Sequence, residues 1–164
     1  MERLIQIYEM QKELDESIFK KYSLSDKEAL ENKKILGFMV EVAEIANATK
    51  SYKYWSRSLP GTREEILDEY SDGLHFLLSL CLDLNVRMEE EFEKIKPIDD
   101  ISDLFIKILK LAISLTDEFN KDTIKKLLSY YIHLGERLGF KMGDILEGYI
   151  KINKINKEKN SFYN

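Results

Sequence analysis

ILGFMVEVAEIA, residues 35–46, is the stretch that determines how this chain is interpreted. It contains two glutamates, Glu41 and Glu44, whose i,i+3 spacing places both carboxylates on one side of an α-helix, with Cβ atoms about 5–6 Å apart. At about 5 Å and an effective dielectric constant near 20, two such charges repel by about 3 kcal/mol. Because the flanking residues are typical of a buried helix, we interpret the pair as ligands of a cation.

A second acidic pair, Glu69 and Asp72, has the same spacing and leads into another apolar run, residues 74–84. Two facing helices that each present such a pair would gather several carboxylate oxygens in one place. Oxygen ligands of this kind suit Mg²⁺. We therefore predict one metal site formed by Glu69 and Asp72 together with Glu41 and Glu44.

Length and composition indicate one domain with a sizeable core. The chain has 164 residues, of which 44% are hydrophobic and 34% are charged, and its formal net charge is −5. The negative charge argues against a nucleic-acid partner, and the apolar run 74–84 is too short and too charged to span a bilayer. Cys81 is the single cysteine, so no internal disulfide can form. We expect a cytoplasmic protein that binds neither nucleic acid nor membrane.

Apolar residues recur at helical spacing along the chain and predict α-helices throughout. Thr62 and Glu65 form a capping-box pattern at the start of the third helix. No stretch has the pattern of a β-strand, no linker divides the chain, and residues 85–97 have no clear assignment. The predicted architecture is an all-α bundle of about six helices, with boundaries near 2–21, 26–50, 63–84, 101–119, 122–138 and 142 to beyond 150.

Residues 151–164 differ in composition from the acidic chain before them. They contain four lysines and one acid, Glu158, together with several asparagines. We predict a domain over residues 1–150 followed by this basic C-terminal tail. The tail could close over phosphate groups as a lid, with lysine and asparagine side chains as donors, or it could be a plain solvated terminus.

Together these features resemble the all-α dimeric dUTPases, which are relatives of the MazG-type nucleotide pyrophosphatases. The resemblance extends over nearly the whole chain and keeps the family's motifs in order. A Gln-x-x-Leu-Asn type motif on the first helix stands here as QKELD, residues 11–15. It is followed by Glu-x-x-Glu, Lys-x-Trp, Glu-x-x-Asp with His-Phe, and a C-terminal Lys/Asn motif. The corresponding residues are Glu41, Glu44, Lys53, Trp55, Glu69, Asp72, His75, Phe76, Lys151, Asn153, Asn156 and Lys159.

The resemblance implies that residues 1–150 form the all-α nucleotide pyrophosphatase domain of a homodimeric enzyme. The expected reaction is Mg²⁺-dependent hydrolysis of dUTP to dUMP and pyrophosphate, with dUDP as a further candidate substrate. Two or more Mg²⁺ ions, for which Mn²⁺ could substitute, would be held by the four acids. Glu41 and Glu44 would be catalytic, and Glu44 is preferred as the acceptor of a proton from the attacking water.

The resemblance also assigns residues to the substrate. Gln11 and Asp15 are expected to bond the uracil edge, and Phe76 or Trp55 to stack on the ring. Asp15 stands where many relatives have asparagine, and Lys159 stands where arginine is common, which replaces a bidentate phosphate contact by a point charge. The other substrate-binding candidates are Lys53, His75, Lys151, Asn153 and Asn156.

Three alternatives are weighed against this interpretation. A related all-α pyrophosphatase acting on another nucleotide, such as dCTP, would share the metal site and differ in its base contacts. A ferritin-like di-iron protein would need two Glu-x-x-His motifs, but neither His75 nor His133 follows a glutamate by three residues. A non-enzymatic helical binding module would have to leave Glu41 and Glu44 on an exposed helix edge, against the surrounding apolar pattern.

Overall fold

The computed structural model of the protein describes residues 2–22, 28–89 and 94–162. They form six α-helices and, within these ranges, no β-strand: α1 (Glu2–Lys21), α2 (Glu28–Thr49), α3 (Arg63–Asp83), α4 (Ile101–Ser114), α5 (Lys121–Arg137) and α6 (Met142–Phe162). The predicted all-α bundle is therefore confirmed. Residues 26 and 27, predicted to begin the second helix, lie outside the described residues.

Helix α3 occupies the centre of the bundle because it contacts four other helices, α1, α2, α5 and α6. Its most extensive neighbour is α2, while α4 packs against α2 and α5. The apolar half of α3 is buried in this position, with Leu74, Leu77 and Leu78 at most 1% exposed. Within the described residues, no helix is both long enough and apolar enough to cross a membrane.

The start of α3 is determined by the predicted capping box. The backbone N–H of Glu65 donates to Thr62 Oγ1 at 3.2 Å, and the backbone N–H of Thr62 donates to Glu65 Oε2 at 2.6 Å. These two bonds satisfy backbone donors that the first helical turn leaves free. The capping box thus fixes where α3 begins, and packing of α3 against α2 then brings Glu69 and Asp72 close to Glu41.

Two glycines allow close contact around the acidic pairs. A Cβ atom at Gly37 would lie 2.6 Å from the Phe76 ring, and a Cβ atom at Gly73 would lie 2.3 Å from the hydroxyl of Tyr131 and 3.4 Å from Glu41 Cβ. The Tyr131 hydroxyl donates to the carbonyl of Tyr70 at 2.7 Å, and the two tyrosine rings stack. Gly73 therefore leaves the room that Tyr131 needs beside the acids.

Gly73→Ala should destabilise the protein by about 1–3 kcal/mol, because the new methyl group must displace a buried, hydrogen-bonded tyrosine. Thermal denaturation followed by circular dichroism measures the change. Gly143→Ala is the control, since a Cβ atom there would meet only the Arg3 side chain, at 3.3 Å. A melting temperature of Gly73→Ala equal to that of Gly143→Ala would contradict the assignment.

Helix α6 crosses the predicted domain boundary at residue 150 without a break and continues to Phe162. Ile152 and Asn153 are buried, at 7% and 2% exposure. The beginning of the predicted tail is thus a packed part of the bundle, which composition alone did not indicate.

Candidate metal centre and adjoining pocket

Helices α2 and α3 bring three acidic side chains together. Glu41, Glu69 and Asp72 each offer one carboxylate oxygen, and these oxygens lie within 4.8 Å of one another. All three residues are half-buried. Glu44, the fourth predicted ligand, is exposed, and its side chain is hydrogen-bonded to that of Glu69. The structure therefore places both predicted acidic pairs in one cluster.

The electrostatics of this acidic cluster favour binding of a cation. Burial raises the pKa of Glu41 to about 7, and the charges of Asp72, Glu44 and Glu69 add to the effect. Burial likewise raises the pKa of Glu69 to about 7, and both its hydrogen bond to Glu44 and the charge of Glu44 add to the effect. Like charges held this close cannot all ionise without cost. A hard divalent cation prefers oxygen ligands and would relieve the repulsion, so these residues fit such an ion.

Two of the acids, Glu41 and Asp72, line a pocket of about 470 Å³. Other lining residues come from α1, from the apolar half of α3 and from α6. Two lysines of α2, Lys33 and Lys34, also line it. Seven of the residues predicted from the sequence line this pocket: Gln11, Asp15, Glu41, Asp72, His75, Phe76 and Asn156.

A chain of hydrogen bonds runs along the α1 side of the pocket. Gln11 Oε1 accepts from the Tyr149 hydroxyl at 2.5 Å and lies 2.7 Å from His75 Nδ1. Gln11 Nε2 donates to Asp15 Oδ1 at 2.6 Å, and Ser79 Oγ donates to Asp15 Oδ2 at 2.6 Å. The two side chains predicted to bond the base are therefore bonded to each other.

His75 is a neutral part of this network. Burial lowers its pKa to about 4, and its ring stacks on the Tyr149 ring with centroids 4.1 Å apart. Because the Gln11 oxygen can only accept, His75 Nδ1 must carry the ring proton. Nε2 is then a lone-pair acceptor, and it is buried with no hydrogen-bond partner within the described ranges.

The carboxyl group of Asp15 is held among hydrogen-bond donors. Burial raises its pKa, whereas the hydrogen bonds from Ser79 and Gln11 and the charge of Lys34 act in the opposite direction. Lys34 itself forms a nearly buried ion pair with Asp83. These donors give Asp15 the role of a hydrogen-bond acceptor in the pocket.

The first half of the predicted phosphate-binding segment is directed elsewhere. Lys151 Nζ lies 2.9 Å from Glu64 Oε1 and 2.7 Å from Asp68 Oδ2, at an exposed position on α3. Asn153 is buried in the bundle, and it is not among the described residues that line the pocket. Neither side chain is brought into the pocket in this structure.

The second half of that segment reaches the site. Asn156 lines the pocket, and the charge of Lys159 lowers the pKa of Asp72 against the larger effect of burial. The lysine ammonium is therefore close enough to the acidic cluster to influence its charge. A group bound at the acids would lie within the field of this lysine.

The predicted Lys-x-Trp residues lie apart from the pocket. Trp55 is 67% exposed and packs edge-on against Tyr54, with ring centroids 5.0 Å apart. The Lys53 ammonium lies 5.7 Å from the centre of the Tyr52 ring. Neither Lys53 nor Trp55 is among the described residues that line the pocket.

Sequence reasoning did not identify Ser79 and Tyr149, although both bond the base-contact candidates. A signal existed for Ser79, because it follows His75 by four residues and shares its helix face. For Tyr149 the sequence offered no comparable signal, since its partner Gln11 lies 138 residues away.

This fold and site define a class: an all-α bundle that gathers carboxylates from two helices, close enough together to hold a metal ion, beside a pocket with both polar and apolar side chains in its lining. Comparison with known families identifies the class more closely. A family model described as dUTPase matches residues 3–162, and the chain belongs to this all-α dUTPase family. The resemblance seen in the sequence is thereby confirmed, and the protein is a dUTP diphosphatase, a hydrolase. A search of curated proteins found no significant match.

Proposed function

We propose that the protein hydrolyses dUTP to dUMP and pyrophosphate with two or more Mg²⁺ ions held by Glu41, Glu44, Glu69 and Asp72. Mn²⁺ is a suitable substitute, since it accepts the same oxygen ligands. The observation that carries the proposal is the pocket itself, whose lining includes both the acids Glu41 and Asp72 and the amide of Gln11. A nucleotide can thus place its phosphates at the acids and its base at the amide.

Mg²⁺, when bound, supplies positive charge that offsets the phosphate charge. The chain's own carboxylates do the rest of the chemistry. Glu44 is exposed and is hydrogen-bonded to Glu69, so it lies next to the carboxylates that would hold the metal. Glu44 accepts a proton from water as that water attacks phosphorus. The bond between the α- and β-phosphates breaks, and pyrophosphate leaves.

The base end of the substrate is assigned to α1 and α3. The Asp15 carboxylate accepts from the uracil N3–H, Gln11 donates to a neighbouring carbonyl, and Phe76 stacks on the ring. His75 Nε2, a buried acceptor that lines the pocket, is suited to accept from a hydroxyl of the deoxyribose. None of these contacts involves the γ-phosphate, so dUDP is a second candidate substrate.

We assign the phosphate contacts to the end of α6, where Asn156 and Lys159 approach the acids. The sequence predicted a lid over residues 151–164. We now assign the phosphate contacts only to its second half, with Asn156 and Lys159, because Lys151 is paired with Glu64 and Asp68. Closure of the α6 end over the phosphates would exclude water and complete charge neutralisation.

Lys159→Ala should lower kcat/KM for dUTP by about tenfold, the effect of losing one charge-assisted hydrogen bond to phosphate. Steady-state kinetics with Mg²⁺ measure it. Lys154→Ala is the matched control, because Lys154 is an exposed lysine of the same helix that lines a different surface groove. Equal kinetics for the two variants would place the phosphate contacts elsewhere.

We also propose a homodimer formed through α2 and α4. These adjacent helices expose four large apolar side chains: Leu36, Val40, Ile106 and Ile113. Large exposed apolar side chains on neighbouring helices are typical of interaction surfaces. Lys53 and Trp55 lie in the connection that follows α2, so a partner subunit or a loop closure could bring them to a substrate. Light scattering, which gives the mass of the particle in solution, tests the assignment.

The test of the proposed function is release of pyrophosphate from dUTP, dCTP and dTTP, and of inorganic phosphate from dUDP, with Mg²⁺. We expect dUTP to be the best substrate. Faster turnover of dCTP would favour the related pyrophosphatase, and no turnover of any nucleotide would favour a binding module.

The single free cysteine, Cys81, is buried and fits the reducing cytoplasm as the location.

A further inference from the structure

The orientation of the Gln11 amide is fixed by two donors on different helices. The Tyr149 hydroxyl of α6 and His75 Nδ1 of α3 both contact Gln11 Oε1, at 2.5 and 2.7 Å. Gln11 is 3% exposed and Tyr149 is fully buried. An amide rotated by 180° would point its N–H groups at these two groups and its oxygen at Asp15. That arrangement would leave the Gln11 oxygen facing an Asp15 oxygen, two acceptors with no donor between them, which is costly.

Tyr149 is well suited to hold this orientation. Burial raises the pKa of its hydroxyl, so the proton stays in place, although the Asn153 side chain acts in the opposite direction. A protonated phenol has one O–H to donate, and Gln11 Oε1 is the acceptor that the structure gives it. The Gln11 nitrogen is thereby directed to Asp15, and its second N–H remains for a ligand.

We infer that Tyr149 and His75 act together as positioning residues for base selection, because both donors are needed to fix which side of the Gln11 amide is presented next to Asp15. The inference rests on the proposed function. Gln11 then offers a donor and Asp15 an acceptor, and Asp15, unlike an asparagine, cannot exchange these roles by rotation. This pair matches the adjacent carbonyl and N3–H of uracil. If the base moved by one ring position, the same donor and acceptor would match N3 and the amino group of cytosine. Discrimination therefore requires that the order of donor and acceptor and the position of the base are both fixed.

Tyr149→Phe tests the inference, with kcat/KM measured for dUTP and for dCTP. The expected result is that the ratio of the two values moves towards one by about tenfold, the effect of one lost hydrogen bond. Tyr8→Phe is the matched control, because it removes a tyrosine hydroxyl whose bond, 2.7 Å to the carbonyl of Val86, lies apart from the Gln11 amide. Its ratio should equal that of the wild type. An unchanged ratio in a folded Tyr149→Phe protein would overturn the inference.

A second variant covers the case in which Tyr149→Phe does not fold. His75→Phe keeps an aromatic ring to stack on Tyr149 but removes the Nδ1 donor to Gln11, so it should lower the same ratio. An unchanged ratio in this variant, if folded, would likewise overturn the inference. The two proposals fail differently. A wild type that hydrolyses neither nucleotide overturns the proposed function, whereas an active wild type whose preference survives either substitution in a folded variant overturns the positioning role alone.

Discussion

Glu41→Gln is expected to reduce dUTP hydrolysis by about a hundredfold or more, because the substitution removes one charged ligand from a cluster that would hold the metal. Glu69→Gln should behave in the same way, since its carboxylate lies in the same group of oxygens. Turnover with saturating Mg²⁺ measures the loss of hydrolysis, and Mg²⁺ titration by calorimetry measures the loss of metal affinity. The helical signal in circular dichroism should remain that of the wild type.

The control is Glu147→Gln, which neutralises an exposed glutamate of α6 and should retain full activity. Full activity in Glu41→Gln would remove that residue from the metal site. Loss of activity accompanied by loss of helical signal would indicate that the substitution acts on folding.

The same variant should stabilise the metal-free protein at neutral and alkaline pH. The folded pKa of Glu41 is raised from 4.5 to about 7, so its ionisation opposes folding, and stability is lost as pH rises from the unfolded value through the folded one. Glu41→Gln should therefore be more stable than the wild type by about 1–2 kcal/mol above pH 7, after solvent screening is allowed for. The difference should disappear near the unfolded pKa of 4.5. Urea denaturation in a chelator at several pH values measures it, and a difference that is constant with pH would contradict this cause.

Asp15→Ala is expected to lower kcat/KM for dUTP by about a hundredfold, since a site built to bond a polar edge loses that bond and leaves its partners unpaired. The structure strengthens this expectation, because Gln11 Nε2 and Ser79 Oγ both donate to Asp15. The preference for dUTP over dCTP should fall, while Mg²⁺ affinity should be nearly unchanged. Kinetics with both nucleotides and Mg²⁺ titration measure these effects.

Asp15→Asn is a useful companion variant, because it keeps the shape of the side chain and an acceptor oxygen but removes the charge. It should retain much more dUTP hydrolysis than Asp15→Ala. If Asp15→Ala instead keeps the wild-type ratio of dUTP to dCTP turnover, the base is recognised by other residues.

The helices and both acidic pairs were predictable from the sequence because they depend on local spacing. Apolar residues at helical intervals define which face of each segment is buried, and an i,i+3 pair lies on one face of any helix. Thr62 and Glu65 showed where α3 begins for the same reason, since a capping box is contained within one turn. The order of the motifs was sufficient to indicate the family that comparison then confirmed.

Only the tertiary structure decided which side chains meet between helices. The bond from Tyr149 to Gln11 joins residues 138 apart, and the bond from Ser79 to Asp15 joins residues 64 apart. Packing also directed Lys151 to Asp68 and left Trp55 outside the pocket. No periodicity records such contacts, because they depend on how whole helices rotate and slide against one another until their apolar faces are buried together.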